Sequence, residues 1–228
     1  TFYGKLPAVK RSMLRSFIPA SVIILSLSAC QVSSLTSRLF EVSPGEVIYQ
    51  DDFSNPSSGW VSLIDERYGI LDYFNGYYRI EVDGDHQMLW TGTGMNFSDV
   101  HLEADAIKVI GAPDDIFGLI CRGTDQYNFY FFVISSDGYY GIGKMVDGVQ
   151  TLIDNPGMLP SEIIAQGKAK NHLRADCVAD RLDFYVNGSK LASVTDGDLT
   201  DGDVGVIAGN LESDQTDVLF DNFSVIHP

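Results

Sequence analysis

Apolar residues in this chain alternate with polar ones over short runs, and turn-forming residues break the runs at short intervals. That pattern predicts strands rather than helices. The signal is densest between residues 117 and 144, FGLICRGTDQYNFYFFVISSDGYYGIGK. Three successive strands are predicted there, over 117–122, 127–135 and 139–144, with a polar break at Gly123-Thr124-Asp125 and a tight turn at Ser136-Asp137-Gly138. Asp-Gly suits such a turn because glycine accepts the positive φ it demands. After Asn128 the run to Ile134 is apolar without a gap, which predicts a strand covered on both faces.

The flanking sequence repeats the theme in a milder form. Strands are predicted over 47–50, 68–73, 77–82, 87–91 and 100–109 before this central meander, and over 149–153, 171–178, 182–186, 190–194, 204–208 and 218–226 after it. Asn75-Gly76 and Asn187-Gly188 each sit between two such runs and read as hairpin turns. The 100–109 strand alternates Leu102, Ala104 and Ala106 against His101, Glu103 and Asp105, one apolar face and one polar. Residues 161–166 are the one stretch that could form a helical turn. The expected fold class is all-β, an antiparallel two-sheet sandwich.

Composition narrows the function more than the fold. With 228 residues, 45% of them hydrophobic, the chain has material for one real core plus a leader. Its formal charge of −16 argues against nucleic acid, which needs a basic footprint. It argues equally against adsorption to anionic lipid through a basic patch.

The acidity stops at residue 30. Residues 1–29 hold Lys5, Lys10, Arg11 and Arg15 and no acid, then an apolar run from Phe17 to Leu25, then Leu27-Ser28-Ala29-Cys30. A basic n-region, a short apolar h-region and small residues describe a secretory leader, with Met13 as a natural start. Leu27-Ser28-Ala29-Cys30 resembles the lipobox of bacterial lipoproteins, which implies lipid attachment to Cys30 and an extracytoplasmic protein held at the cell membrane by that anchor alone. Residues 30–46 then form a tether, and 47–228 the folded domain. Removing the four leader cations from 15 leaves 11 Lys+Arg against 31 Asp+Glu, so the exported remainder is more acidic still. Export leaves Cys121 and Cys177 as an even pair in an oxidising compartment, both on the core-facing rows of their strands. They are expected either to be bonded to each other or to lie buried as free thiols.

A family resemblance rests on a series of segments: DDF…W, the Tyr-rich hairpin, YNFYFFVISSDGYYGIGK, NHLRADCVADRLDFYVNGSKLASVTD, GDVGVIAGN and the closing VLFDNFSVI. In this order they resemble the concanavalin A-like lectin/glucanase superfamily, and within it the laminin-G-like bacterial surface modules. The resemblance implies a jelly-roll sandwich over roughly residues 47–227, with Asp52-Phe53 and Phe220–Phe223 on first and last strands that lie side by side. It also brings three kinds of chemistry to test.

Retaining glucanases of the superfamily carry Glu-x-Asp-x-(x)-Glu on one strand. Here Glu103-Ala104-Asp105 is followed by Ala106-Ile107-Lys108, so the second Glu is missing. The competing reading makes Glu103 and Asp105 part of a polar sheet face paired with Arg79, Arg122 or Arg174. Sugar recognition calls for aromatic faces and side-chain forks, and Trp90, Arg122, Asn128, Tyr130 and Tyr140 are the candidates. Asp198, Asp201 and Asp203 are candidate ligands for a structural Ca²⁺, the one cofactor the acidic loops suggest, although Asp-Gly pairs are also ordinary turn formers. The expected function is a lipid-anchored, non-catalytic carbohydrate-binding or adhesion module. The alternatives are a glycoside hydrolase of the same fold and a domain that docks onto another envelope protein.

Overall fold

The computed structural model describes residues 42–84, 86–211 and 215–228. The leader, Cys30 and the tether up to Glu41 lie outside the described residues. The folded unit spans Val42–Pro228. Its first residues are already bound to the domain, because Gly45 N donates to His227 O and His227 N to Glu46 O.

All regular structure among the described residues is β, and 161–166 forms turns rather than a helix. The strands form two antiparallel sheets. One has nine strands: β1 (Val47–Asp51), β2 (Leu63–Asp65), β3 (Gly69–Phe74), β4 (Tyr77–Asp83), β6 (Val100–Ile110), β12 (Asn171–Val178), β13 (Arg181–Val186), β14 (Ser189–Thr195) and β16 (Gln215–Ile226). Their spatial order is β14-β13-β12-β6-β16-β4-β3-β2, with β1 added on β16. The other sheet has seven: β5 (Met88–Gly92), β7 (Ile116–Asp125), β8 (Asn128–Ser135), β9 (Tyr139–Val146), β10 (Val149–Leu152), β11 (Leu159–Pro160) and β15 (Asp203–Gly209). Here the order is β10-β9-β8-β7-β15-β5, with β11 on β9. The first and last strands do lie side by side, Asp51 opposite Phe223 and Val47 opposite Ile226.

The alternating strands supply the core between the layers. Leu102, Ala104 and Ala106 of β6 face it, with Leu173, Ala175 and Cys177 of β12, and Leu182, Phe184 and Val186 of β13. The seven-stranded sheet answers with Phe117, Leu119 and Cys121 of β7, Tyr130, Phe132 and Ile134 of β8, and Val204, Val206 and Ala208 of β15. Cys121 and Cys177 are joined by a disulfide, so the bond crosses from one sheet to the other. Asn75 and Gly76 both take positive φ, as do Asn187 and Gly188, which is the backbone a two-residue hairpin loop needs.

Beyond the core the two sheets part company. The outer face of the nine-stranded sheet is polar and ion-paired: Arg79 contacts Asp72 (2.8 Å) and Glu81 (3.2 Å), Arg174 contacts Asp176 (2.7 Å), and Lys190 contacts Asp183 (2.8 Å). The outer face of the seven-stranded sheet is a second apolar cluster, Ile116, Ile120, Phe129, Phe131, Val133 and Ile207, packed against Met88, Trp90, Met145, Leu152, Met158 and Leu211. Phe131 pairs across the strands with Gly143. A Cβ on Gly143 would stand 2.2 Å from the Phe131 ring, so only glycine lets the ring lie there.

Candidate functional site

A cleft with an aromatic wall and polar groups lies at the end of the sandwich where β5 finishes, β6 begins and β7 finishes. It is lined by Trp90, Asn96, Thr124 and Asp201 over a floor of Gly94, Gly123 and Gly202, and its volume is about 420 Å³. Trp90 leaves β5 on the outer side, level with Ile207 of β15, and packs on Phe129 at 5.5 Å between ring centroids. The far edge of the indole passes over Gly123, where a Cβ would come within 3.2 Å of it. The ring is half-buried, so part of its surface stays open to a ligand.

Opposite the indole, Asp201 accepts from Asn96 Nδ2 (2.9 Å) and Thr200 Oγ1 (2.9 Å). Those two hydrogen bonds hold its carboxyl below the usual range, so it stays an ionised acceptor. Gly202 closes the floor by exchanging hydrogen bonds with Phe97 at 2.8 and 3.0 Å. Its backbone lies so near β7 that a Cβ would meet the Arg122 carbonyl carbon at 2.6 Å. The next residue, Asp203, fastens the other wall, accepting from Thr93 Oγ1 (2.9 Å) and Gly94 N (3.0 Å).

Of the five sugar-site candidates read from the sequence, Trp90 lines this cleft and the other four do other work. Arg122 is 2% exposed, and its guanidinium is taken up by the loops around it. A left-handed φ of 54° swings its guanidinium under the loops, where it donates to the carbonyls of Ser98, Leu199 (2.9 Å) and Ala179 (2.6 Å) and lies 3.4 Å from Asp99. Arg122 therefore supports the cleft from below. Tyr130 is fully buried in the core, its hydroxyl donating to Asp196 (2.5 Å) and accepting from Leu199 N (3.1 Å). Burial, and then the Asp196 contact, push that phenol up to about 12. Asn128 clasps two turns, donating to Asp125 (3.0 Å) and accepting from Asp147 N (2.9 Å). Tyr140 donates to Leu191 O (3.1 Å) beside a separate small cavity. Asn96 and Thr124 were not singled out in the sequence. The glycine-punctuated stretches TGTGMN and RGTD were their only signal.

Nor does the structure gather the three aspartates read as a cation site. Asp198 is bound to Lys144, which also holds Asp196; Asp201 belongs to the cleft; Asp203 is spent on the Thr93–Gly94 loop. Among the described residues no three metal-ligating side chains converge.

No protein-family model and no curated protein matches the chain. Solved structures do. The carbohydrate-binding module CBM66 from Bacillus subtilis superposes with a TM-score of 0.55 at 18% identity, over 74% of this chain and 95% of that one. A Bacillus subtilis protein of unknown function with a galectin-like fold gives 0.58 at 14% identity, covering 82% and 98%. A laminarinase from Flavobacterium sp. UMI-01 gives 0.55 at 14% identity, covering 80% and 100%. The fold is the concanavalin A-like β-sandwich.

In this concanavalin A-like body, Glu103 and Asp105 lie on the outer polar face of the nine-stranded sheet, away from Trp90. Glu103 is 3.5 Å from Arg174 and 3.8 Å from His172. Asp105 accepts from Lys170 (2.8 Å) and Asn222 (3.0 Å) and contacts His172 Nδ1 (3.0 Å). Burial works to raise its carboxyl, but those three partners outweigh it and leave the group below the usual range. An acid so held is a poor proton donor. The pairing partner is Arg174, as the polar-face reading allowed. Arg122 is committed to the loops and Arg79 to Asp72 and Glu81. Lys108, where a second Glu would fall, is 4% exposed and continues the core-facing row of Leu102, Ala104 and Ala106.

Proposed function

We propose that this protein is a lipid-anchored extracytoplasmic module that binds glycans without cleaving them, and that the Trp90 cleft is where it grips. The observation that carries this reading is a half-buried indole that shares a cleft of about 420 Å³ with an ionised Asp201 and the Asn96 amide. An aromatic face takes the C–H side of a sugar ring, and a carboxylate–amide fork takes its hydroxyls. The likeness to a carbohydrate-binding module and to a laminarinase supports a carbohydrate-related role. The Lys170, His172 and Asn222 partners of Asp105, and the inward-facing lysine after it, support binding over hydrolysis. Anchoring through Cys30 rests on the leader sequence.

A glycan array run beside a hydrolysis screen tests both halves of the proposal. The expected outcome is retention of at least one glycan class, no release of sugars, and binding about tenfold or more weaker in a Trp90→Ala variant that gives up its Phe129 contact but stays folded. Sugar release by the purified chain, or full binding by Trp90→Ala, defeats the reading. The second reading, docking onto another envelope protein, is favoured by the paired charges of the nine-stranded face. It predicts capture of that partner with no retained glycan.

A further inference from the structure

At the far end of β6 from the Trp90 cleft, the loop after β6, the turn after β8 and the loop before β12 enclose a second cavity of about 560 Å³. Lys108, Lys168, Asp137, Ser136, Gln166 and Pro113 are among its lining residues. We propose that this cavity binds an acidic sugar, a hexuronate, whose carboxylate is received by Lys108 and Lys168.

The argument starts from Lys108. Its side chain is 4% exposed, and its ammonium donates to one acceptor, Ala112 O. Among the described residues no carboxylate lies within ion-pairing distance of it or of the exposed Lys168. A buried ammonium with one of three donors used, and no counter-ion in contact, is costly to the fold on its own. The charged groups that face it through space are Asp114, Asp115 and Asp137. Burial, the larger influence, still holds the amine below its ordinary value against those three carboxylates.

None of the three closes on the ammonium: Asp114 and Asp137 stand beyond ion-pairing distance, and Asp115 is held elsewhere. Asp115 is fully buried and accepts from Ala112 N, Leu211 N and Thr216 Oγ1. Asp137 accepts from Ser135 Oγ, and its backbone N–H is fixed to Pro113 O at 3.0 Å. A ligand carboxylate would supply the missing contact, with Lys168 as the second cation at the rim.

The rest of the lining selects the body of that ligand. Asp137 accepts hydroxyl protons, the Gln166 amide both donates and accepts, and the Ser136 hydroxyl, which donates to Pro113 O at 3.0 Å, keeps lone pairs for a further donor. Pro113 offers an apolar patch to a ring's C–H face. One carboxylate, several hydroxyls and an apolar face describe a uronic acid rather than a fatty acid or a phosphate.

Calorimetric titration of the chain with sodium glucuronate, with glucose and sodium acetate as separate arms, tests the assignment. Glucuronate should bind, and glucose and acetate should bind about tenfold or more weakly. Lys108→Met and Lys168→Ala should each weaken glucuronate by about tenfold or more, while Trp90→Ala leaves it unchanged. Lys168→Ala, at an exposed residue, keeps the test decisive if the buried substitution unfolds the domain. No heat with glucuronate, equal affinity in the lysine variants, or loss of glucuronate binding in Trp90→Ala overturns the proposal. The last result would place any acidic-sugar binding in the other cleft.

Discussion

The two sheets share one core, yet their outer faces are made from opposite materials. On the nine-stranded side, the row His101, Glu103 and Asp105 alternates with core residues and meets Asp176, Arg174 and His172 of the neighbouring strand. On the seven-stranded side, β7 and β8 are buried almost end to end, and a second apolar layer forms outside the first. The difference teaches that the period of the sequence reports what lies on the far side of a strand. Strict alternation means solvent there, and an unbroken apolar run means cover. It also explains the position of the candidate cleft. Trp90 stands at the margin of the apolar layer, where that layer runs out and polar loops begin.

The sharpest way to break the comparison is to remove material from the apolar outer layer. Phe131→Ala deletes a fully buried ring that lies across Gly143, and we expect a loss of about 3–5 kcal/mol in urea unfolding. A cost near that of a surface change would mean the layer is only loosely applied.

The polar face should respond to pH instead. Asp217, level with Glu81 on the neighbouring strand, has its Oδ1 buried without a hydrogen-bond partner. Burial first, with Glu81 and Asp72 adding to it against Arg79, pushes its carboxyl from 3.8 up to about 6. The folded state therefore holds this proton more tightly than the unfolded chain does. The resulting penalty is absent below the ordinary value of 3.8, grows as pH rises, and is complete above about 6. Asp217→Asn should stabilise the protein by about 1–3 kcal/mol at neutral pH and have little effect near pH 3.5. Equal unfolding free energies for variant and parent at neutral pH would remove Asp217 from the account.

The smallest effect belongs to an ordinary pair on the same face. Lys170 is largely exposed and shares Asp105 with His172 and Asn222. Lys170→Ala should cost about 0.2–1 kcal/mol at low salt and less at high salt. A loss comparable to that of Phe131→Ala would show that the two faces contribute alike.

How much of this was legible follows the same physics. β12 falls on the predicted residues, and β8 and β6 differ by one residue at one end, because each has an unambiguous period and clear turn residues beside it. The short β2 and β11 were missed, having too few residues to show a period. The predicted break at Gly123–Asp125 is a register shift inside β7 rather than its end. That irregularity is also why Arg122 misled. Alternation places it outside, level with Ile120, and the left-handed backbone turns it inward. Tyr130 failed for the opposite reason: alternation does hold in β8, and it puts the ring on the core side with Phe132 and Ile134. Asn96 and Asp201 come from separate loops and Thr124 from the end of β7, and only the pairing of the strands brings them to one place.

Cys121 and Arg122 are neighbours on the chain, and both reach for the same far segment: the thiol bonds to Cys177 and the guanidinium to the carbonyl of Ala179. One stitch is covalent and the other a hydrogen bond, and both leave β7 just before Gly123, over which the indole lies. A batch of this protein made where thiols stay reduced would keep only the hydrogen bond. Its melting point should then vary with the compartment of manufacture, so preparations must be matched in oxidation state before their stabilities are compared.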